Sequence, residues 1–128
     1  MHALDRSQAR HILMRLSFAV IFIGIGIWEI VQPSYWSYYI PSFLASLVNP
    51  LTLTMIHGML LLVLGIMVLI GAYLRIASIL SAIVMASILI ALITMFGFTD
   101  TIIRDLSVLL IAIALYFDDT QYLRFNDK

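Results

Sequence analysis

The chain has 128 residues, of which 63% are hydrophobic and 11% are charged, and its formal net charge is zero. Soluble domains are about half apolar and about a quarter charged, so this composition indicates an integral membrane protein. The balanced charge gives no basic surface for nucleic acid, and the absence of cysteine excludes disulfides, iron–sulfur clusters and cysteine-ligated zinc.

Apolar segments long enough to cross a bilayer core, which takes about 20 residues as a helix, recur along the chain. They are too long for strands and do not alternate, so they predict an all-α, up-down-up-down four-helix bundle. Because Glu29 interrupts the end of the first segment and no cleavage site follows, we expect that segment to be retained rather than removed as a signal peptide. The prediction is one membrane domain, 1–128, with spans at about 12–32, 51–72, 75–96 and 100–118.

Lysine and arginine are distributed unevenly between the two ends of these spans. With four spans, both termini and the link between the second and third spans share one side. That side holds Arg6, Arg10, Arg15, Arg75, Arg124 and Lys128. Arg104 stands alone on the other side. Since positive residues favour the cytoplasm, we expect a multi-pass protein of the cell membrane with both termini cytoplasmic.

The first link, "PSYWSYYIPSFLASLVNP", combines prolines with crowded aromatic residues. Amphipathic rings prefer the headgroup level, which favours a short interfacial segment with an aromatic belt. The alternative is a lid over a pocket, to which Trp28 and Trp36 would contribute. The second link, "GAYLR", is tight and predicts an antiparallel hairpin of the second and third spans.

Small residues recur at spacings that let helix backbones approach closely. In the third span, Ser78, Ala82 and Ala86 stand four residues apart. Gly58 and Gly65 of the second span are expected to accept that face. We expect a similar role in the first span for Gly24 and Gly26.

The fourth segment can cross the membrane only if it includes two charged residues. Its uncharged part, 106–117, would cover roughly 18 Å as a helix, whereas the hydrocarbon core is about 30 Å thick. A helix that begins at Asp100 is long enough. It carries Arg104 and Asp105 beneath the outer surface.

Counting residues from the outer ends of the helices places other polar groups at a similar depth. Glu29 lies about 6 Å and His57 roughly 10 Å below that surface, and Thr54 shares the face of His57. Because an ionised side chain in mid-bilayer costs about 2.5–3.5 kcal/mol, charges that face inward and pair are favoured. We therefore predict one polar cluster, or ligand site, of Glu29, His57, Arg104, Asp105, Thr54, Trp28 and Trp36.

The simplest pairing in this cluster joins Glu29 to Arg104 and His57 to Asp105, and exchanged partners remain open. Arg104 could instead reach outward and pair with Asp100 on its own helix. No metal is expected, because His57 has no partner at metal-ligand spacing.

The residues resemble the DoxX family of small four-helix membrane proteins. The first span has Arg15-Leu16, Phe22 and Gly26, and the fourth opens with "RDLSVLL". The strongest similarity is "HGMLLLVLGIMVLIGAYLRIASIL", whose matching positions are Gly58, Leu62, Gly65, Gly71, Arg75 and Ala77. Glu29 stands where the family often has a basic residue, and His57 where it often has glutamate. The resemblance implies a membrane subunit of a quinone-linked oxidoreductase, a partner of detoxifying enzymes, or a carrier of sterol-like ligands.

Three functions follow as hypotheses. The first is a quinone- or lipid-binding subunit of a redox complex, in which His57 exchanges protons because imidazole titrates near neutral pH. Its partners would be membrane lipids and a membrane or peripheral redox subunit, with a homo-oligomer also open. Whether the chain is itself an enzyme stays open. The second is a scaffold or assembly factor with a structural charge network. A proton-coupled exporter fits less well, because Glu29 is near the end of its helix.

Overall fold

A computed structural model describes the backbone of residues 5–126 and the side chains of residues 5–118. Within this part of the chain every regular element is helical, and no strand occurs, which confirms the predicted all-α class. The elements are α1 (Arg6–Val31), α2 (Pro33–Trp36), a 3₁₀ turn (Ser37–Tyr39), α3 (Ser42–Ala45), α4 (Pro50–Ile70), α5 (Leu74–Phe96) and α6 (Asp100–Asn126).

Three helices, α1, α4 and α5, are long and apolar enough to cross a membrane. They have 26, 21 and 23 residues, which correspond to about 31–39 Å, against a hydrocarbon core of about 30 Å. These helices support the expectation of a membrane protein. The helix α6 is also long, with 27 residues, but Asp100, Arg104 and Asp105 make its first five turns too polar to identify it as a span by composition.

Local capping residues explain where the helices begin and end. The helix α1 starts about two turns before the first predicted span, after Asp5, whose backbone N–H donates to Gln8 Oε1 at 3.3 Å. Asn49 Oδ1 accepts the N–H of Leu51 at 2.9 Å at the start of α4. The same helix ends at Gly71, whose φ of 77° is the left-handed conformation that glycine adopts without strain.

The helix α1 packs against α4, and α5 packs against α6. Near the start of α1, Arg15 donates to the carbonyls of Val68 and Leu69 at the end of α4, at 2.9 and 2.6 Å. At the start of α5, Arg75 donates to the hydroxyl of Tyr116 near the end of the described part of α6, at 3.0 Å. Both pairs of helices are therefore antiparallel.

Gly24 and Gly26 of α1 have different contacts, although the sequence predicts the same packing role for both. A Cβ added to Gly26 would lie 2.8 Å from the carbonyl oxygen of Gly58, whereas one added to Gly24 would meet nothing within 4 Å. The prediction for Gly24 is wrong, because it lies on the exposed face of α1. The prediction that Gly58 and Gly65 accept α5 is also wrong, since the atoms nearest to both lie on α1.

The main core lies between the long helices. It consists of side chains from all four, among them Phe18, Phe22, Leu64, Val68, Ala77, Met85, Val108, Ala112 and Leu115. A second apolar group packs where α5 ends and α6 begins, and Tyr39 lies against it. It consists of Leu89, Leu92 and Ile102. Many other large apolar side chains are exposed on the outside of the helices, as expected for a surface that faces lipid.

Candidate functional site

The carboxylate of Glu29 and the imidazole of His57 meet across the interface of α1 and α4. Glu29 Oε2 lies 2.8 Å from His57 Nδ1, and the two side chains are 8% and 31% exposed. This contact depends on the neighbouring Gly58, because a Cβ there would lie 2.8 Å from Glu29 Cβ. The glycine thus lets α1 come close enough for the carboxylate to reach the ring.

The second ring nitrogen of His57, Nε2, determines what the pair can bind. Within the described residues Nε2 is buried and has no hydrogen-bond partner. With an ionised Glu29, Nδ1 carries the hydrogen, so Nε2 of the neutral ring is an acceptor, and it becomes a donor when the ring is protonated. A buried polar atom without a partner costs about 1–3 kcal/mol, so this nitrogen is poised to bind a further polar group.

Aromatic rings form a continuous group over this end of the molecule. Trp28 of α1 contacts Trp36 of α2 edge to face, with ring centroids 5.2 Å apart. The rings continue through Tyr39, whose centroid lies 5.8 Å from that of Trp36, to Phe96 at the end of α5. Trp28 and Tyr38 are exposed, whereas Trp36 and Tyr39 are half-buried. The aromatic group therefore has an outer part suited to a belt and an inner part suited to a lid.

Trp36 supplies a second unsatisfied polar atom. Its indole Nε1 is buried without a hydrogen-bond partner in the described part of the chain, whereas Trp28 Nε1 donates to Gln32 Oε1 at 2.9 Å. An indole N–H is only a donor. The short helix α2 packs against both α1 and α4, the two helices that carry Glu29 and His57.

The other predicted pair of charges stays within α6. Arg104 Nε donates to Asp105 Oδ1 at 2.9 Å, and their side chains are 49% and 8% exposed. The simplest predicted pairs, Glu29–Arg104 and His57–Asp105, are therefore wrong, and the exchanged pairing that the sequence left open is the one that forms. The physical reason is that α1 packs mainly on α4 and α6 mainly on α5, so each charge meets a partner within its own half of the molecule.

Two further polar side chains in or near the predicted cluster form bonds within α4 and α6, their own helices. Thr54 is buried, but its hydroxyl donates to the carbonyl of Pro50 at 2.8 Å, one turn earlier in α4. Its hydrogen is thus used inside its own helix. Asp100 accepts the backbone N–H of Thr101 at 2.9 Å and does not pair with Arg104.

A second polar group, not predicted from the sequence, lies at the opposite end of the molecule. Asp118 of α6 meets His11 and Arg10 of α1, with 3.1 Å between its Oδ1 and Arg10 Nη2. The sequence carries a signal for this contact, because the predicted topology puts the basic start of the first span and the acidic end of the fourth on the same side of the membrane. Arg15 was counted only as a positive charge, yet it caps the end of α4.

Comparison with family models, with curated proteins and with solved structures finds no match to this chain. The resemblance to the DoxX family stays a prediction.

Proposed function

We propose that the chain is a DoxX-like integral membrane protein of four up-down-up-down spans, with both termini cytoplasmic. It would bind a quinone or another small amphipathic lipid beside Glu29 and His57. It would act there as a membrane subunit of a redox complex. The single observation that carries the binding proposal is the Glu29–His57 pair. His57 Nε2 is buried there and has no hydrogen-bond partner among the described residues.

Packing supports α6 as the fourth span. It lies antiparallel to α5, with Arg75 and Tyr116 in contact near one end and Leu92 and Ile102 in one cluster near the other. Of its early charges, Asp105 is buried, and Arg104 is half-exposed at a depth from which a long side chain can reach the headgroups. The cost of carrying these charges into the membrane is thereby reduced.

Hydrogen-bond chemistry supports an oxygen-bearing head group as the ligand. A ligand hydroxyl can donate to Nε2 of neutral His57, a ligand carbonyl can accept from it when the ring is protonated, and an oxygen of either kind can accept from the Trp36 N–H. His57 would pass a proton between such a group and Glu29. A quinone offers both oxygen states. The electron carrier would belong to the partner subunit.

The two tryptophans of the chain, Trp28 and Trp36, both lie in the aromatic group, so intrinsic fluorescence reports on this site. Titration of the purified protein in micelles with decylubiquinone should give saturable quenching. His57→Gln should weaken binding about tenfold, the effect of about 1.4 kcal/mol from one lost hydrogen bond to a charged or buried group.

The matched control is His11→Gln, which makes the same change at the opposite end. It should leave the quenching curve unchanged. Linear quenching that does not saturate, or equal curves for His57→Gln and the unaltered protein, would show that the quinone only partitions into the micelle and would remove the proposal.

A scaffold or assembly factor is the second candidate, and one observation favours it. Glu29 and His57 lie beside the close approach of Gly26 and Gly58, so their bond also locks two helices together. In that case Glu29→Leu/His57→Leu should fold with about the same stability, because a buried pair can be replaced by apolar groups at little cost. Assembly of the partner complex should then survive the double substitution.

A further inference from the structure

A groove lies between α1 and α6 at the end of the molecule where α1 begins. Its volume is about 460 Å³. Leu13, Met14 and Ile111 give it apolar walls, and Arg6 and Arg10 lie at its polar end. This groove is at the opposite end of α1 from Glu29, so it is separate from the proposed quinone site.

Among the described residues, the lining of the groove includes two arginine side chains and no carboxylate. Asp118 already contacts both Arg10 and His11, and its side chain is 9% exposed. The Arg10 side chain stays 60% exposed, and Arg6 forms no ion pair within residues 5–118. Asp5 does not line the groove and accepts the hydroxyl of Ser7. Within residues 5–118, the exposed Arg6 and the exposed part of Arg10 can therefore contact an anion at this edge.

The groove is long enough for the upper part of an acyl chain. From Arg10 to Ser17, its farthest residue along α1, the helix rises about 10 Å, a third of a hydrocarbon core of about 30 Å. The hydroxyl of Ser17 donates to the carbonyl of Leu13 at 2.8 Å, so the far end presents little free polarity. An acyl chain fits such a channel, and a phosphate fits guanidinium groups at its mouth.

We propose that this groove is a specific site for one anionic phospholipid, with an acyl chain along Leu13, Met14 and Ile111 and the phosphate between Arg6 and Arg10. Basic sites between membrane helices recognise anionic headgroups in this way. The proposal rests on the membrane-spanning part of the proposed function but not on quinone binding.

The test titrates the full chain in detergent with phosphatidylglycerol or phosphatidylcholine of identical acyl chains and counts the bound lipids by native mass spectrometry. One phosphatidylglycerol should bind with an affinity at least about tenfold above that of phosphatidylcholine. Arg6→Gln should weaken it about fivefold, as expected for one arginine at a membrane surface. Arg75→Gln removes the same charge from α5 and should change it less than about twofold.

The shape of the groove is tested by a second matched pair of substitutions. Ser17→Phe fills the deep end of the groove and should also weaken binding, whereas Ser107→Phe, on an exposed position of α6 outside the groove, should not. Equal affinity for both lipids, equal losses with Arg6→Gln and Arg75→Gln, or no effect of Ser17→Phe would each overturn the proposal.

Failure of this site and failure of the proposed function are distinguishable. Retention of the protein in membranes after alkaline carbonate extraction tests the spanning helices alone, and loss from the membrane would remove the premise of both. If the protein is retained and still quenched saturably by decylubiquinone, but shows no preference for phosphatidylglycerol, only the lipid groove is wrong.

Discussion

The two antiparallel helix pairs hold together by different means. Polar contacts cross between α1 and α4, namely the Glu29–His57 pair and the capping of α4 by Arg15, and glycines bring the two backbones together. The interface between α5 and α6 consists mainly of apolar and small side chains. The charged residues Arg104 and Asp105 pair with each other within α6. Lipid is as apolar as leucine, so helix association in a membrane depends on close packing and on such bonds.

This difference favours the α1/α4 half of the molecule as the place of the proposed binding site. A bond that crosses between helices fixes the position of both groups, whereas a bond between neighbours on one helix fixes little beyond a rotamer. Glu29 holds His57 through Nδ1, and the other ring nitrogen is buried without a hydrogen-bond partner in the described part of the chain, which suits a binding site. The α5/α6 pair has the character of a support.

The largest expected effect comes from closing the glycine contact. Gly58→Ala places a Cβ 2.8 Å from both the Gly26 carbonyl and Glu29 Cβ, so the helices must move apart. We expect a loss of about 2–3 kcal/mol in the free energy of unfolding, measured in mixed micelles. The control Gly24→Ala meets no atom within 4 Å and should be neutral or stabilising by up to about 1 kcal/mol. Equal effects of the two substitutions would contradict the assigned interface.

A double-mutant cycle measures the contrast between the two charge pairs. Glu29→Ala and His57→Ala should show a coupling energy of about 1–2 kcal/mol, because the bond is largely buried and joins two helices. Arg104→Ala and Asp105→Ala should couple by less than about 0.5 kcal/mol, since Arg104 is half-exposed. If the second coupling equals the first, the two halves are not as different as their contacts indicate.

The sequence predicts α1, α4 and α5 well because most of each apolar run carries no charge. Counting residues from helix ends also placed Glu29 and His57 at one level, since depth along a helix follows from a fixed rise. Their partners could not be predicted in this way. Pairing depends on which helix packs on which, and nothing in the local sequence states that α4 faces α1 rather than α5 with its glycines.

Rotation of a helix about its axis is equally hidden from sequence spacing. Gly24 and Gly26 are two residues apart, about 200° around the helix, so only one of them can face α4. Arg15 looks like an ordinary positive-inside charge until the end of α4 is known to lie beside it.

Substitution of Arg15, which caps the end of α4, should give the next largest loss in the free energy of unfolding. Arg15→Gln loses two bonds to the last carbonyls of α4, and we expect a cost of about 1 kcal/mol with faster hydrogen exchange at residues 70–73. Arg75→Gln loses an exposed bond to Tyr116 and a ring contact at 5.2 Å, and should cost about half as much. A larger loss for Arg75 would reverse the view that polar contacts matter more in the first half.

The smallest effect is expected at the buried serines of α5. Ser78 and Ser81 donate to the carbonyls of Leu74 and Ala77, at 2.7 and 2.6 Å, each one turn earlier in the same helix. Those carbonyls keep their backbone bonds when the hydroxyl is removed, and alanine is the better helix former, so Ser81→Ala should change the free energy of unfolding by less than about 0.5 kcal/mol. Ser81→Leu should instead cost about 1–3 kcal/mol, because the position is fully buried and its small size is what the interface uses. If Ser81→Ala were as damaging as His57→Ala, polar side chains would matter as much to the α5/α6 pair as to the α1/α4 pair, and the contrast between the two helix pairs would be lost.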